Sequence, residues 1–245
     1  MRKVTFVLGL CILAVSAFKV WSYARITQTN ATATPVTIIY QIKNYDGNGK
    51  SGPTDILVRA YRADGSEVQY LVDPGGLTPI RTVFNFERRI QASIDPLIKG
   101  MVTLPIANGP RIPATCAGMW GEGRCLGSVL DKVSGFDFAL ERVTETGADG
   151  YANEFLVAPS LDFKPLKRVL TLSNGTLLQE WTAIDVRLGE PDAALFEIPS
   201  GYEVMTRDVY YERGMTARSR QPSAAVSARF RALDQGKQPP AGCGK

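Results

Sequence analysis

The chain contains no histidine. That single absence removes Ser–His–Asp and Cys–His nucleophilic catalysis, His-ligated zinc and imidazole acid–base chemistry together. Cysteine is scarce, with four in 245 residues. Cys11 lies in the N-terminal apolar run, and Cys116, Cys125 and Cys243 do not make a zinc ligand set without histidine. A Gly-x-Ser-x-Gly elbow, a phosphate loop and a dinucleotide fingerprint are also missing. Asp46 and Asn48 have the spacing of a calcium loop, but Lys50 is no ligand and no closing glutamate follows at the required distance. Carboxylate pairs such as Glu141/Glu145 or Glu87/Asp95 could be nominated for sugar hydrolysis, but they occur in any chain of this size and read as solvated charge. The sequence therefore offers no catalytic residues, no metal site and no cofactor, and it reads as a protein that is not an enzyme. No nucleic-acid partner is expected either.

Long apolar runs are confined to the start. Arg2 and Lys3 precede Val4 to Ala17, which only Thr5 and Ser16 interrupt, and small residues follow up to Ala24. This is the pattern of a signal peptide over residues 1–24, and it places the mature protein in the periplasm or outside the cell. The aromatic flank Trp21 and Tyr23 also suits an uncleaved N-terminal anchor. Cleavage after Ala24 leaves 25 basic against 24 acidic residues, unevenly spread. Residues 207–245 hold eight basic and three acidic side chains. Four segments follow: the signal peptide, a polar linker over 25–34, a β-rich domain over 35–206 and a basic, disordered tail over 207–245. The tail is where an anionic envelope polymer would be met. Cys116 and Cys125 enclose a short Gly-rich loop, and a disulfide between them fits an oxidising compartment. The role of Cys243 is left open.

Helical periodicity is almost absent, and period two dominates. Val36, Ile38, Tyr40 and Ile42 alternate, as do Ile56, Val58 and Ala60, then Val68, Tyr70 and Val72, then Ile80, Thr82, Phe84 and Phe86. A strand near 101–106 precedes an irregular stretch. Alternation resumes at Phe136, Phe138 and Leu140, then Tyr151, Asn153, Phe155 and Val157, then Leu177, Gln179, Trp181 and Ala183. Asp64-Gly65, Asp149-Gly150 and Asn174-Gly175 stand between alternating runs. They predict hairpins whose two central residues both take positive φ. The fold class is mainly β: an antiparallel meander forming a curved sheet, with few short helices. Those helices are expected at 128–133 and at 191–196, the latter with Pro191 in its first turn.

Aromatic residues at alternating positions give one sheet face a strongly apolar character, and little helix is available to cover it. An under-covered apolar concavity is the usual form of a site for a greasy ligand. Tyr70, Phe84, Phe86, Phe155 and Trp181 are the candidate ligand-binding residues, with Trp120 from the bridged loop as a lid.

Residues 130–206 carry a further pattern. Val133-Ser-Gly-Phe-Asp137 leads into Glu141-Arg-Val-Thr144, and Glu154-Phe-Leu-Val-Ala-Pro-Ser-Leu-Asp162 follows. The stretch closes on Gly189-Glu-Pro-Asp-Ala-Ala-Leu-Phe-Glu-Ile-Pro-Ser-Gly-Tyr202. It resembles a group of exported bacterial β-rich proteins whose architecture looks like the periplasmic lipoprotein carriers of the LolA/LolB type. The resemblance implies a half-barrel with an apolar concave face, and a binding function toward a lipid or a lipoprotein acyl chain. The alternative, drawn from the basic tail, is a structural or interaction protein of the cell envelope.

Overall fold

A computed structural model describes residues 32–219, apart from 47, 73–78, 111, 131–132, 134–136 and 148–149. The chain divides after Ala31, and all described residues lie in the second unit. The expected signal peptide and nearly all of the linker fall outside them. No described helix is long and apolar enough to cross a membrane.

Among the described residues twelve strands form one sheet. They are β1 Val36–Tyr45, β2 Ser51–Tyr61, β3 Glu67–Val72, β4 Arg81–Asn85, β5 Ile90–Asp95 and β6 Gly100–Pro105, then β7 Cys125–Leu130, β8 Ala139–Thr146, β9 Tyr151–Ala158, β10 Lys164–Leu172, β11 Leu177–Leu188 and β12 Glu203–Val204. Their order across the sheet is β12-β6-β5-β4-β3-β2-β1-β11-β10-β9-β8-β7. All neighbours are antiparallel except β12, which runs parallel to β6. Among the described residues helix is limited to α1 (Cys116–Trp120), α2 (Arg207–Ser219) and 3-10 turns at Pro159–Leu161 and Ala193–Phe196. The sheet is curved and does not close on itself, so the fold is the open antiparallel half-barrel that the sequence implied.

The hairpins differ in detail from expectation. At Asp64-Gly65 the amide of Arg62 donates to Ser66 and that of Gly65 donates back to Arg62. This makes a three-residue loop in which only the last residue, Gly65, has positive φ (82°). The loops ending at Gly49, Gly150 and Gly175 repeat that bonding pattern, with φ of 77°, 80° and 84°. In the Gly65 and Gly175 loops this is a type I turn followed by one left-handed residue, so the second residue needs no positive φ. In the Asp46 loop the carboxylate accepts from the amides of Asn48 and Lys50, so it caps its own turn.

Register assigns side chains to faces. On one face Val36, Ile38, Tyr40 and Ile42 of β1 are buried. On the other, Ala60, Val68, Val83, Ala92 and Ile94 make a second core. The closing motif covers that second core. Phe196 is buried in it, and Leu195, Ile198 and Tyr202 pack alongside. Arg81 holds the motif in place by donating to the carbonyls of Leu195 (3.2 Å) and Glu197 (2.6 Å).

Three local assignments change. Of the helix expected at 128–133, residues 128–130 belong instead to strand β7, because they pair with β8. The 191–196 stretch is a 3-10 turn over Ala193–Phe196, capped by Asp192 accepting from the Ala194 amide. A helix, α2, stands at the start of the expected tail. Its Tyr210 is buried, Gly214 lets it approach Asp95, and Arg218 donates to the fully buried Asp95 carboxylate at 2.7 Å. Residues 220–245 lie outside the described ones.

Gly65 and Gly175 give a matched test of turn against packing. Both need positive φ, but a β-carbon at Gly65 would collide with Pro110 while one at Gly175 meets nothing. Gly175→Ala should cost about 1–2 kcal/mol from backbone strain alone. Gly65→Ala should cost that plus roughly 1–3 kcal/mol of overpacking. Urea unfolding of the two variants measures the difference.

Candidate functional site

Cross-strand partners line up a row over five strands. Ile42 faces Trp181, Trp181 faces Arg168, Arg168 faces Phe155, and Phe155 faces Val143. A parallel row on the same face runs from Val36 to Tyr61, Glu67 and Phe84, with Ile38 opposite Arg59 beside it. Between these rows lies a cavity of about 390 Å³. Its lining draws on Phe86, just past β4, and on Phe155 in β9. Six strand-to-strand steps separate β4 from β9 in the sheet order. On a flat sheet that is about 29 Å at ~4.8 Å per step, so the sheet must wrap around the cavity and this face is the concave one.

The cavity has a roof because β6 and β7 sit toward opposite ends of the sheet. The segment joining them has to cross a face, and it crosses this one. Pro110, Ile112, Met119 and Trp120 of that segment line the cavity. Its position is set at Pro110 against Gly65 and by the Cys116–Cys125 disulfide, whose Cα atoms are 6.2 Å apart. Thr115 caps α1 by accepting from the Gly118 amide. Trp120 then lies on Phe155 with ring centroids 4.6 Å apart.

Of the six aromatic residues expected at a ligand site, Phe86, Trp120, Phe155 and Trp181 line this one cavity. Phe84 shares its face, opposite Glu67, but is not part of the lining. Tyr70 is on the other face. It pairs with Val58 and packs into the core under the closing motif, which corrects its assignment. The phase of alternation in β3 is fixed by its register with β2, and that register turns Tyr70 away from Tyr61 and Glu67.

The charges of the site are not apparent from the sequence. Arg59, Lys164 and Arg168 line the cavity, with Glu67 and Asp162. Arg59 donates to Glu67 at 2.6 and 2.9 Å and lies over the Tyr61 ring. Lys164, nearly buried, donates to Asp162 at 2.9 Å and to the Leu161 carbonyl, and sits 4.8 Å from the centre of the Tyr61 ring. Arg168 stands over Trp181 (5.0 Å) and Phe155 (5.9 Å). It donates only to amide oxygens, those of Asn153 and Gln179. Burial pulls its pKa down from the ordinary arginine value, partly offset by the field of Glu145. Tyr40 closes the floor beside Trp181, its hydroxyl donating to the Pro165 carbonyl; burial pushes its pKa well up.

No group of carboxylates or cysteines that could hold a metal occurs among the described residues. Asp95, once a candidate carboxylate, is taken by Arg218, and Glu145 by Arg124. In the basic C-terminal stretch Arg213 and Arg218 are paired with Glu203 and Asp95.

Asp162 ties the segment before β1 to the cavity wall. It accepts from the Thr34 amide at 2.7 Å and from the Thr34 hydroxyl at 3.1 Å, as well as from Lys164. Burial alone would raise its pKa, but the bonds from Lys164 and Thr34 outweigh that and hold it below the usual carboxylate value. A lowered folded pKa stabilises the fold above the unfolded value of about 3.9, and this contribution disappears as pH falls through the folded pKa. Asn tolerates the left-handed backbone found here (φ 53°). Asp162→Asn should therefore cost roughly 1–3 kcal/mol at pH 7, and the gap from wild type should close as the solution is taken below pH ~4. Urea unfolding at several pH values reads both.

No family model matches the chain, and no curated protein does. Solved structures that it is similar to match it at low identity. One is an uncharacterised conserved protein from Thermus thermophilus, at 16% identity and TM-score 0.49, over 71% of this chain and 91% of that one. Another is the Pseudomonas aeruginosa MucA/MucB complex, at 18% identity and TM-score 0.47, over 72% of this chain and 60% of that one. A third is a LolA superfamily protein from Nitrosomonas europaea, at 10% identity and TM-score 0.32, over 69% of this chain and 94% of that one. A LolA superfamily protein, of the group named on sequence resemblance, is among the structures that the chain is similar to.

Proposed function

We propose that this is an exported, non-catalytic binding protein that holds a lipid or lipoprotein acyl chain on the concave face of its half-barrel. The observation that carries this is the roofed cavity of about 390 Å³, within the usual range for small-molecule sites. Phe86, Trp120, Phe155 and Trp181 supply its apolar walls. Aromatic rings give large contact area at small entropic cost, and the roof shields a chain from water on the side away from the sheet. The absence of histidine and of any catalytic motif supports binding rather than turnover. The N-terminal pattern and the Cys116–Cys125 bridge support an oxidising, extracytoplasmic location.

Native mass spectrometry of protein purified from a bacterial periplasm should show adducts of lipid mass that delipidation removes. A clean unliganded mass under gentle conditions overturns the reading. Phe86→Asp and Trp120→Asp, both outside the strands, should abolish the adduct while the fold persists by circular dichroism. For a series of saturated fatty acids, affinity should rise about fourfold per added methylene until the cavity is filled, since each buried CH₂ contributes ~0.8 kcal/mol. A flat series in isothermal titration counts against the apolar cavity as the binding element.

A further inference from the structure

The cavity's charges do not cancel. Three cations and two carboxylates line it. Glu67 is used by Arg59 and Asp162 by Lys164. Among the described residues no carboxylate is within ion-pair reach of Arg168, and its Nη2 has no hydrogen-bond partner. Its two amide acceptors hold the guanidinium in place without neutralising it. Its guanidinium carbon stands over the rings of Trp181 and Phe155, against the apolar wall. A second unmet donor is present in the same lining: the indole N–H of Trp120 is buried and finds no acceptor.

Buried polar groups in folded proteins are ordinarily satisfied, and an uncompensated cation beside apolar walls is costly. Arg168 is half-buried, donors are in surplus here and the carboxylates are committed, so a partner that fits them brings oxygen acceptors and one negative charge. An arginine fork presents paired donors that match a carboxylate or a phosphate. We propose that Arg168 receives the acid group of an anionic amphiphile whose apolar chain lies along Phe155, Trp181 and Phe86. This rests on the lipid-binding reading above and adds to it the chemical class of the head group. Both carboxylate and phosphate heads satisfy the same donors.

Isothermal titration of the full chain with dodecanoate, dodecyl phosphate and dodecanol separates the two readings. Wild type should bind the two acids roughly ten- to a hundredfold more tightly than the alcohol, the range of a charge-assisted bond. The tighter of the two acids names the head group. In Arg168→Met, which keeps an apolar stem against the rings, the acid-to-alcohol ratio should fall to about one. Equal binding of acid and alcohol by wild type, or an undiminished ratio in Arg168→Met, overturns the head-group assignment and leaves the apolar site standing. Failure of all three to bind overturns both. The wild-type ratio needs no variant, so the assignment stays open to refutation even where Arg168→Met does not fold.

Discussion

The pairing of β1 with β11 organises the molecule. It joins the first and last long strands of a meander in the middle of the sheet, with Tyr40 opposite Ala183 and Ile42 opposite Trp181. Two arms then extend away from that seam, β2 to β6 on one side and β10 back to β7 on the other. The arms end far apart, so the chain between β6 and β7 cannot be a short turn. It has to travel across a sheet face, and the right-handed twist and curl of antiparallel strands make one face hollow. A roofed cavity is what remains when a connector of irregular backbone spans a hollow sheet. The same seam fixes register in both arms, and a one-residue slip there would exchange every inward side chain for an outward one.

The two faces meet this geometry differently. Behind β2 to β6 the closing motif lays Phe196 and its neighbours directly on Val68, Val83 and Ala92, leaving a dry contact. On the concave side the connector touches the sheet near its ends, at Pro110 on Gly65 and at Trp120 on Phe155. Between these contacts the sheet presents rings interleaved with charges. An interior filled only for stability would carry aliphatic side chains in place of Arg59, Glu67 and Arg168, because buried ion pairs seldom repay their desolvation. Their presence in the hollow, and their absence from the core under Phe196, distinguishes the concave face from the face built for packing.

Much of this was legible in the chain. Alternation marked most of the strands, and glycine placed three of the hairpins because a left-handed residue is needed wherever a type I turn must rejoin a ladder. The hairpins between β4 and β5 and between β5 and β6 were not legible for the same reason in reverse. Their left-handed positions are held by Arg89 and Lys99, with φ of 52° and 46°, so no glycine announces them. Period two also has a blind spot: it tells which residues of one strand share a face, but not which face of one strand matches that of the next. Phe155 and Trp181 share a face because their strands are linked through β10 in unbroken register near them. Tyr70 faces the other way, since the three-residue loop before β3 sets a phase that composition does not reveal.

The charged residues escaped for a related reason. Arg59 and Arg168 stand at alternating strand positions, where a polar residue ordinarily marks the solvent side. Only the wrapped sheet shows that they share a face with Tyr61 and Trp181 and point into the hollow. Once they are there, the ring faces beneath them become part of the electrostatics. A guanidinium over an aromatic ring is attracted to it most strongly where water is excluded, so Tyr61 supports Arg59 while Trp181 and Phe155 support Arg168. Arg59 is then neutralised by Glu67, whereas Arg168 has its charge supported by rings and amide oxygens, with the field of Glu145 as the carboxylate contribution. The rings that make the cavity apolar are therefore the same ones that support a cation inside it, and this joins the two roles proposed for it, a surface for a hydrocarbon chain and a receptor for an acid group, in one set of side chains.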